Sequence, residues 1–380
     1  MPLASTDRAW IEERSRAAGF DLCGIAAVPE AGDAQHRFAE WIAQGRAGEM
    51  DYLKRTDAAG ELLRGDLRRA IPWARSVVVC AMNYNVDAPL SIDPAAADTG
   101  WIARYAWSGR KTDSGEARGS DYHDVLLPRL RVVEKELRER FACETQCYVD
   151  TGPIVERDYA ERAGIGWIGK NTCLINEQQG SWLLLGVIVT SLELAPEAWS
   201  VPAADRCGTC TRCIDACPTD ALIAPRQMDA SRCIAYLTIE KKGSIAEDLR
   251  VPIGRNVFGC DICQDVCPWN ARAPIASTSP LPARRELINP ALEWLAALEG
   301  AEFARVFRGS PVERRRRDTS RRKHFRRNIA IAMGNSRETS FLPRLDAWAA
   351  GGDPVVAEAA AWAAARLRED PSTKVSPPAK

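Results

Sequence analysis

The chain has 380 residues, 46% of them hydrophobic, which is more than one ordinary core holds and predicts two or three domains. Lys plus Arg and Asp plus Glu balance at 51 each, so no bulk charge draws the molecule to nucleic acid or membrane, and any such attraction must be local. Residues 1–20 carry Asp7, Glu12 and Glu13 without a signal-peptide apolar run, and no later segment offers the ~20 apolar residues of a membrane span, so a cytoplasmic protein with no membrane partner is expected.

In chain order, residues 7–18 read as an amphipathic helix, and residues 76–81 and 182–190 as short buried strands rich in Val, Ile and Leu. The polar stretch 107–120 holds three glycines and reads as a surface loop without a core of its own. Leu126, Leu130, Val133, Leu137 and Phe141 recur at steps of three or four, placing one apolar stripe on a charged helix. From 195 to 279 cysteine and proline concentrate. Pro280 and Pro282 then punctuate a linker, and 286–367 is rich in Ala, Leu, Arg and Glu at helical spacing, as in an array of short antiparallel helices. The expected fold class is α+β, divided into a mixed α/β domain over 1–194, a cysteine module over 195–279, a helical domain over 280–370 and a disordered tail over 371–380. With no evident coiled coil, a monomer is the default expectation.

Thirteen cysteines in a reducing compartment point to metal ligation or redox chemistry rather than to disulfides. Cys207, Cys210, Cys213 and Cys217, followed by Pro218, make the run C-x2-C-x2-C-x3-C-P, in which three thiolates wrap one iron–sulfur cube and the fourth points to a second. Cys260, Cys263 and Cys267 before Pro268 repeat the end of that run, and Cys233 supplies the missing thiolate. Two 4Fe-4S clusters are therefore expected. The crossover rule assigns Cys207, Cys210, Cys213 and Cys267 to one, and Cys217, Cys233, Cys260 and Cys263 to the other. Structural zinc or free buried thiols are the competing readings, but neither requires the Cys-Pro endings or a matching second run. Cys23, Cys80, Cys143, Cys147 and Cys173 lack ligand spacing and read as small buried hydrophobes. Two clusters in series carry single electrons from an external low-potential donor to an acceptor inside the molecule. Neither a Walker loop nor G-x-G-x-x-G is present to make that acceptor a nucleotide.

Asp150, in Y-V-D-T-G-P-I-V-E-R, falls where a strand passes to a helix, a place suited equally to a pocket carboxylate and to a helix cap. In G-I-G-W-I-G-K-N, three glycines allow close approach to a large flat ligand, with Lys170 and Asn171 as polar handles, or simply make a tight loop. His123 reads as a structural residue more readily than as a ligand. Between 303 and 327 eleven basic residues face two acids: Arg305, Arg308, Arg314, Arg315, Arg316, Arg317, Arg321, Arg322, Lys323, Arg326 and Arg327 against Glu313 and Asp318. A solvated helix face is the plain reading of such a run, and a polyanion site is the one its density favours.

The strings M-D-Y-L at Met50, R-Y-A at Arg104, D-Y-H at Asp121, V-D-T-G-P-I-V-E-R, G-W-I-G-K-N, the double cysteine run, Y-L-T-I-E at Tyr236 and C-P-W-N at Cys267 together resemble the epoxyqueuosine reductases, along nearly the whole chain. The resemblance implies a cobalamin- and iron–sulfur-dependent enzyme that removes the epoxide oxygen of epoxyqueuosine in the tRNA anticodon loop. It makes 1–194 the cobalamin-binding catalytic domain, Asp150 the proton donor, and Arg64, Asp150, Lys170, Asn171 and Ser231 cofactor contacts. It makes the tail HEAT-like, with Arg314, Arg315, Arg316, Arg317, Arg321, Arg322, Lys323 and Arg326 on tRNA phosphates. The chain departs from the family pattern in the longer polar loop between Arg104 and Asp121. A reductive dehalogenase and a simple electron-transfer protein are the competing functional readings. The absent twin-arginine signal and the basic tail count against the first, and the long N-terminal domain is surplus to the second.

Overall fold

In the computed structural model, which describes residues 2–29, 33–111, 117–276, 280–313 and 319–369, the predicted strands share one four-stranded sheet. Its order is β1 (Leu22–Ala27), β2 (Ser76–Asn83), β4 (Leu183–Thr190), β3 (Thr145–Tyr148), and every pairing is antiparallel. All of β2 is buried, so both of its faces need cover. Val78, Cys80 and Met82 pack on Ile11 of α1 (Ser5–Ala17) and on Leu126, Leu130, Val133 and Leu137 of α2 (Tyr122–Phe141). Val77, Val79 and Ala81 face the other way, onto Tyr159 and Ala160 of α3 (Glu156–Arg162). The alternation is the two-residue period of a pleated strand, and burying each large aliphatic side chain contributes roughly 1.5–3 kcal/mol. Cys23 and Cys80 are cross-strand partners in this sheet, and Cys80 is fully buried.

The 107–120 stretch differs from its reading as a coreless loop. Gly109–Lys111 pairs antiparallel with Ala117–Gly119, and the apex between them lies outside the described residues. Trp107, Ser108 and Ser120 are buried, and the Gly109 N–H donates to Pro282 O at 2.8 Å. A Cβ on Gly119 would stand 2.7 Å from Arg308 O, so only glycine lets this hairpin lie against the start of the basic run.

A second core joins segments far apart in sequence. Trp101, Ile102 and Trp107 meet Ile234 and Leu237 of α4 (Ile234–Ile239), then Val257 and Phe258, and finally the C-terminal helices. Those include α5 (Thr319–Ser336), α6 (Leu342–Ala349) and α7 (Pro354–Arg368). Gly334 of α5 lies where a Cβ would meet Ala363 at 2.8 Å, which sets the close approach of α5 to α7. Arg327, although part of the basic run, is not on the surface. It is 1% exposed and donates to Leu237 O at 2.7 Å and to Lys241 O at 2.9 Å. The carbonyls at the end of α4 lack helical partners, and a buried guanidinium satisfies several at once. Burial lowers its pKa to about 10, and it stays charged at neutral pH. Asn328 adds bonds to Thr238 O at 2.8 Å and Val257 O at 2.9 Å, so the R-N pair ties α5 to the cysteine-bearing segment. Among the described residues no helix is long and apolar enough to cross a membrane.

Candidate active site

The eight spaced cysteines separate into two groups in space. Cys207, Cys210, Cys213 and Cys267 line one cavity of about 460 Å³, together with Lys170, Asn171, Pro268 and Trp269. Burial, with the nearby charges of Cys267 and Cys207, raises the Cys213 thiol to about 11. In the second group burial pushes Cys260 up, and Cys233 and Cys217 add to the effect. Cys263 is raised by its bond with Cys173, by burial, and by Cys260 and Cys233 among its neighbours. Four thiolates crowded in this way oppose one another's ionisation unless cations compensate, which is the chemistry of a metal cluster site. Among the described residues no three His, Cys, Asp or Glu side chains converge on a single ion position.

The loop with three glycines forms a tight hairpin. Trp167–Ile168 pairs antiparallel with Leu174–Ile175, and a Cβ on Gly166 would fall 2.2 Å from Ile175 O. Lys170 Nζ donates to Gly208 O at 2.7 Å and Cys210 O at 2.9 Å, while Asn171 Nδ2 donates to Cys263 O at 3.2 Å. Trp167 Nε1 reaches Cys207 Sγ at 3.5 Å. The hairpin thus braces both cysteine loops. Ser231 lies in a short turn capped by Asp229, whose Oδ1 accepts from the Ser231 N–H at 2.9 Å and from its hydroxyl at 2.6 Å.

Asp150 follows β3 and is exposed, in the left-handed region at φ +53°. It is not a helix cap, because α3 starts at Glu156 with Val155 in the capping position. Tyr122 Oη donates to Asp150 Oδ2 at 3.0 Å, and the Asp150 N–H donates to Glu156 Oε1 at 2.7 Å. Arg64 Nη1 bonds Ile154 O at 3.2 Å within the same turn. Burial, then the charge of Asp150, pushes the Tyr122 hydroxyl well above its ordinary range, and the same two causes raise Glu156 to about 7. The Tyr122 ring lies 4.0 Å from the His123 ring and 6.1 Å from that of Tyr105, which in turn lies 6.2 Å from Phe258. Phe258 stands two residues before Cys260, so an aromatic wall runs from the acid to the second cysteine group. His123 Nδ1 pairs with Asp121 at 2.5 Å, and its buried Nε2 has no hydrogen-bond partner among the described residues.

Of the basic run, residues 314–318 and the side chain of Arg321 lie outside the described residues. Arg322, Lys323 and Arg326 line a surface pocket of about 420 Å³ with Trp348, Asp353 and Val356. Lys323 pairs with Asp353 at 2.8 Å, Arg326 with Glu299 at 2.7 Å, and Arg322 lies over the Phe303 ring at 5.3 Å. Exposed pairs of this kind contribute about 0–1 kcal/mol, so they leave the cations available to a polyanion.

Comparison with known proteins decides the family. Residues 64–151 match the family model described as epoxyqueuosine reductase QueG, DUF1730, and residues 206–270 match a 4Fe-4S double cluster binding domain. The epoxyqueuosine reductase of Xanthomonas campestris pv. campestris is 40% identical over 335 residues, covering 86% of each chain. The chain belongs to the epoxyqueuosine reductase family. As a member of it, the protein is an oxidoreductase with a 4Fe-4S double cluster domain. A crystal structure of epoxyqueuosine reductase with an epoxyqueuosine-modified tRNA-Tyr stem loop superposes with TM-score 0.78 at 30% identity, covering 95% of this chain and 90% of that one. The Bacillus subtilis epoxyqueuosine reductase, with its catalytic aspartate loop swung out of the active site, gives TM-score 0.78 at 29% identity, covering 96% and 91%.

Within this family member, sequence reading passed over four residues that the fold brings to the site. Tyr122 and Tyr105 stood in the matched strings D-Y-H and R-Y-A, but nothing in their spacing pointed at Asp150. Glu156 lay in the same string as Asp150 without a role. Cys173, set aside as a hydrophobe, bonds Cys263, and its own thiol is lowered by that contact.

Proposed function

We propose that the chain reduces epoxyqueuosine to queuosine in the tRNA anticodon loop, the last step of queuosine biosynthesis. In this reading electrons pass through two 4Fe-4S clusters to cobalamin, and Asp150 donates a proton. The observation that carries it is the chain of contacts from Asp150 through Tyr122 and Tyr105 to Phe258, which links an exposed acid to the second cysteine group.

The reaction breaks two C–O bonds, forms one C=C bond, takes up two electrons and two protons, and releases the oxygen as water. The thiols around the 460 Å³ cavity suit a cube rather than a lone ion, and the second group suits another. Arg64, Asp150, Lys170, Asn171 and Ser231 would hold the corrin. Buried beside Tyr122 and without a partner among the described residues, Nε2 of His123 favours a polar ligand group there. Cobalamin, when bound, supplies a strongly nucleophilic low-valent cobalt. The chain's own contribution is the acid: Tyr122 holds Oδ2 of Asp150, leaving Oδ1 to carry the proton to the departing oxygen. An external low-potential donor feeds the clusters, and the basic residues from Arg314 to Arg326 meet the tRNA backbone.

Asp150→Asn tests the assignment. The variant should retain iron and tRNA affinity and lose roughly 10²-fold to 10⁴-fold in turnover on epoxyqueuosine-containing tRNA. Turnover at the parent rate would remove Asp150 from the mechanism.

A further inference from the structure

Asp150 occupies the left-handed backbone region, φ +53°, which a non-glycine residue keeps only where its neighbours hold it. Gly152 and Ile154 bury the far side of the turn, while its start is open. Asp150 and Thr151 are exposed, and Val155, at the start of α3, makes no side-chain cap bond. One contact reaches back across it: Glu156, the first residue of α3, accepts the Asp150 N–H at 2.7 Å.

We propose that Glu156 is the positioning residue for Asp150, its carboxylate fixing the left-handed turn so that the acid faces the reaction, and that the turn is fixed best while Glu156 is ionised. The inference rests on Asp150 being the proton donor. An N–H bond to an ionised carboxylate is roughly twice as strong as one to a neutral acceptor. The groups facing Glu156 are Asp150, Arg64 and Arg157. Burial and the charge of Asp150 raise it to about 7, against the two arginines and the N–H bond itself, which lower it. Above about pH 7 the carboxylate is therefore charged and the turn held, and below it the carboxyl is neutral and the turn loosens. In this role Glu156 acts through Asp150 rather than on the substrate, so its effect should appear in kcat and not in the KM for tRNA.

The test uses reduced, cluster-loaded, cobalamin-supplied protein in single-turnover assays from pH 5.5 to about 8.5. Glu156→Ala should lose roughly 10-fold to 100-fold in rate with KM and iron content unchanged. Glu156→Gln, which keeps an acceptor that cannot titrate, should recover part of that loss and should lack the fall in rate below about pH 7 that the parent shows. Hydrogen exchange gives a second readout. The Asp150 amide, corrected for its intrinsic rate, should be less protected in Glu156→Ala, and in the parent less protected below pH 7 than above. A rate for Glu156→Ala within about 2-fold of the parent at every pH would overturn the proposal, as would an acid limb retained by Glu156→Gln. Loss of iron or of folding in Glu156→Ala, with Glu156→Gln showing the parent's pH profile, would assign Glu156 to the fold alone. Asp150→Asn separates the two ideas: if it is inactive while Glu156→Ala is unaffected, only the positioning role fails, and if it is fully active, the acid assignment fails first.

Discussion

Tyr122, the first residue of α2, reaches Asp150 beyond the end of β3 through a single hydrogen bond of 3.0 Å between the phenol and Oδ2. The bond joins two elements 28 residues apart and orients the carboxyl without taking both of its oxygens. Tyr122→Phe keeps the ring against His123 and Tyr105 and removes only this bond. Turnover should fall roughly 10-fold to 100-fold, with tRNA affinity unchanged, as measured by single-turnover kinetics.

The grouping of cysteines predicts a selective loss of metal. Cys213→Ala should empty the cavity lined by Cys207, Cys210, Cys213 and Cys267 and leave the other cluster in place. Iron should fall from about eight to about four per chain. A variant retaining the full complement would show that the groups are not the ligand sets.

Arg322, Lys323 and Arg326 should act through phosphate charge. Replacing each with alanine should weaken tRNA binding and flatten its salt dependence by roughly 0.7–0.9 in the log–log slope for every phosphate no longer neutralised. Binding measured across a salt series reads both effects. Parallel salt curves for parent and variants would place the tRNA elsewhere.

Arg327 should behave oppositely to its neighbours in sequence. Arg327→Met fills similar volume but leaves the carbonyls of Leu237 and Lys241 without their donor. The loss should be on the order of 3 kcal/mol, seen as a lower melting temperature, with the salt slope of tRNA binding unchanged.

What is local in this protein was legible from residue order. Cysteine spacing marked the double cluster domain, continuous apolar runs placed β2 and β4, a stripe of helical period placed α2, and a strand-to-helix turn marked Asp150 as either a pocket carboxylate or a helix cap. Each signal is carried by neighbours along the chain, so composition and spacing suffice to show it. What depends on distant segments meeting became visible in the folded chain. Folding turned Arg327 inward because the carbonyls it satisfies belong to residues 86 and 90 positions earlier. It seated the 109–119 hairpin on Arg308, a contact invisible in a polar, glycine-rich string. It also brought Tyr122 and Glu156 to Asp150, because hydrogen bonds depend on through-space geometry and a one-dimensional pattern records only order.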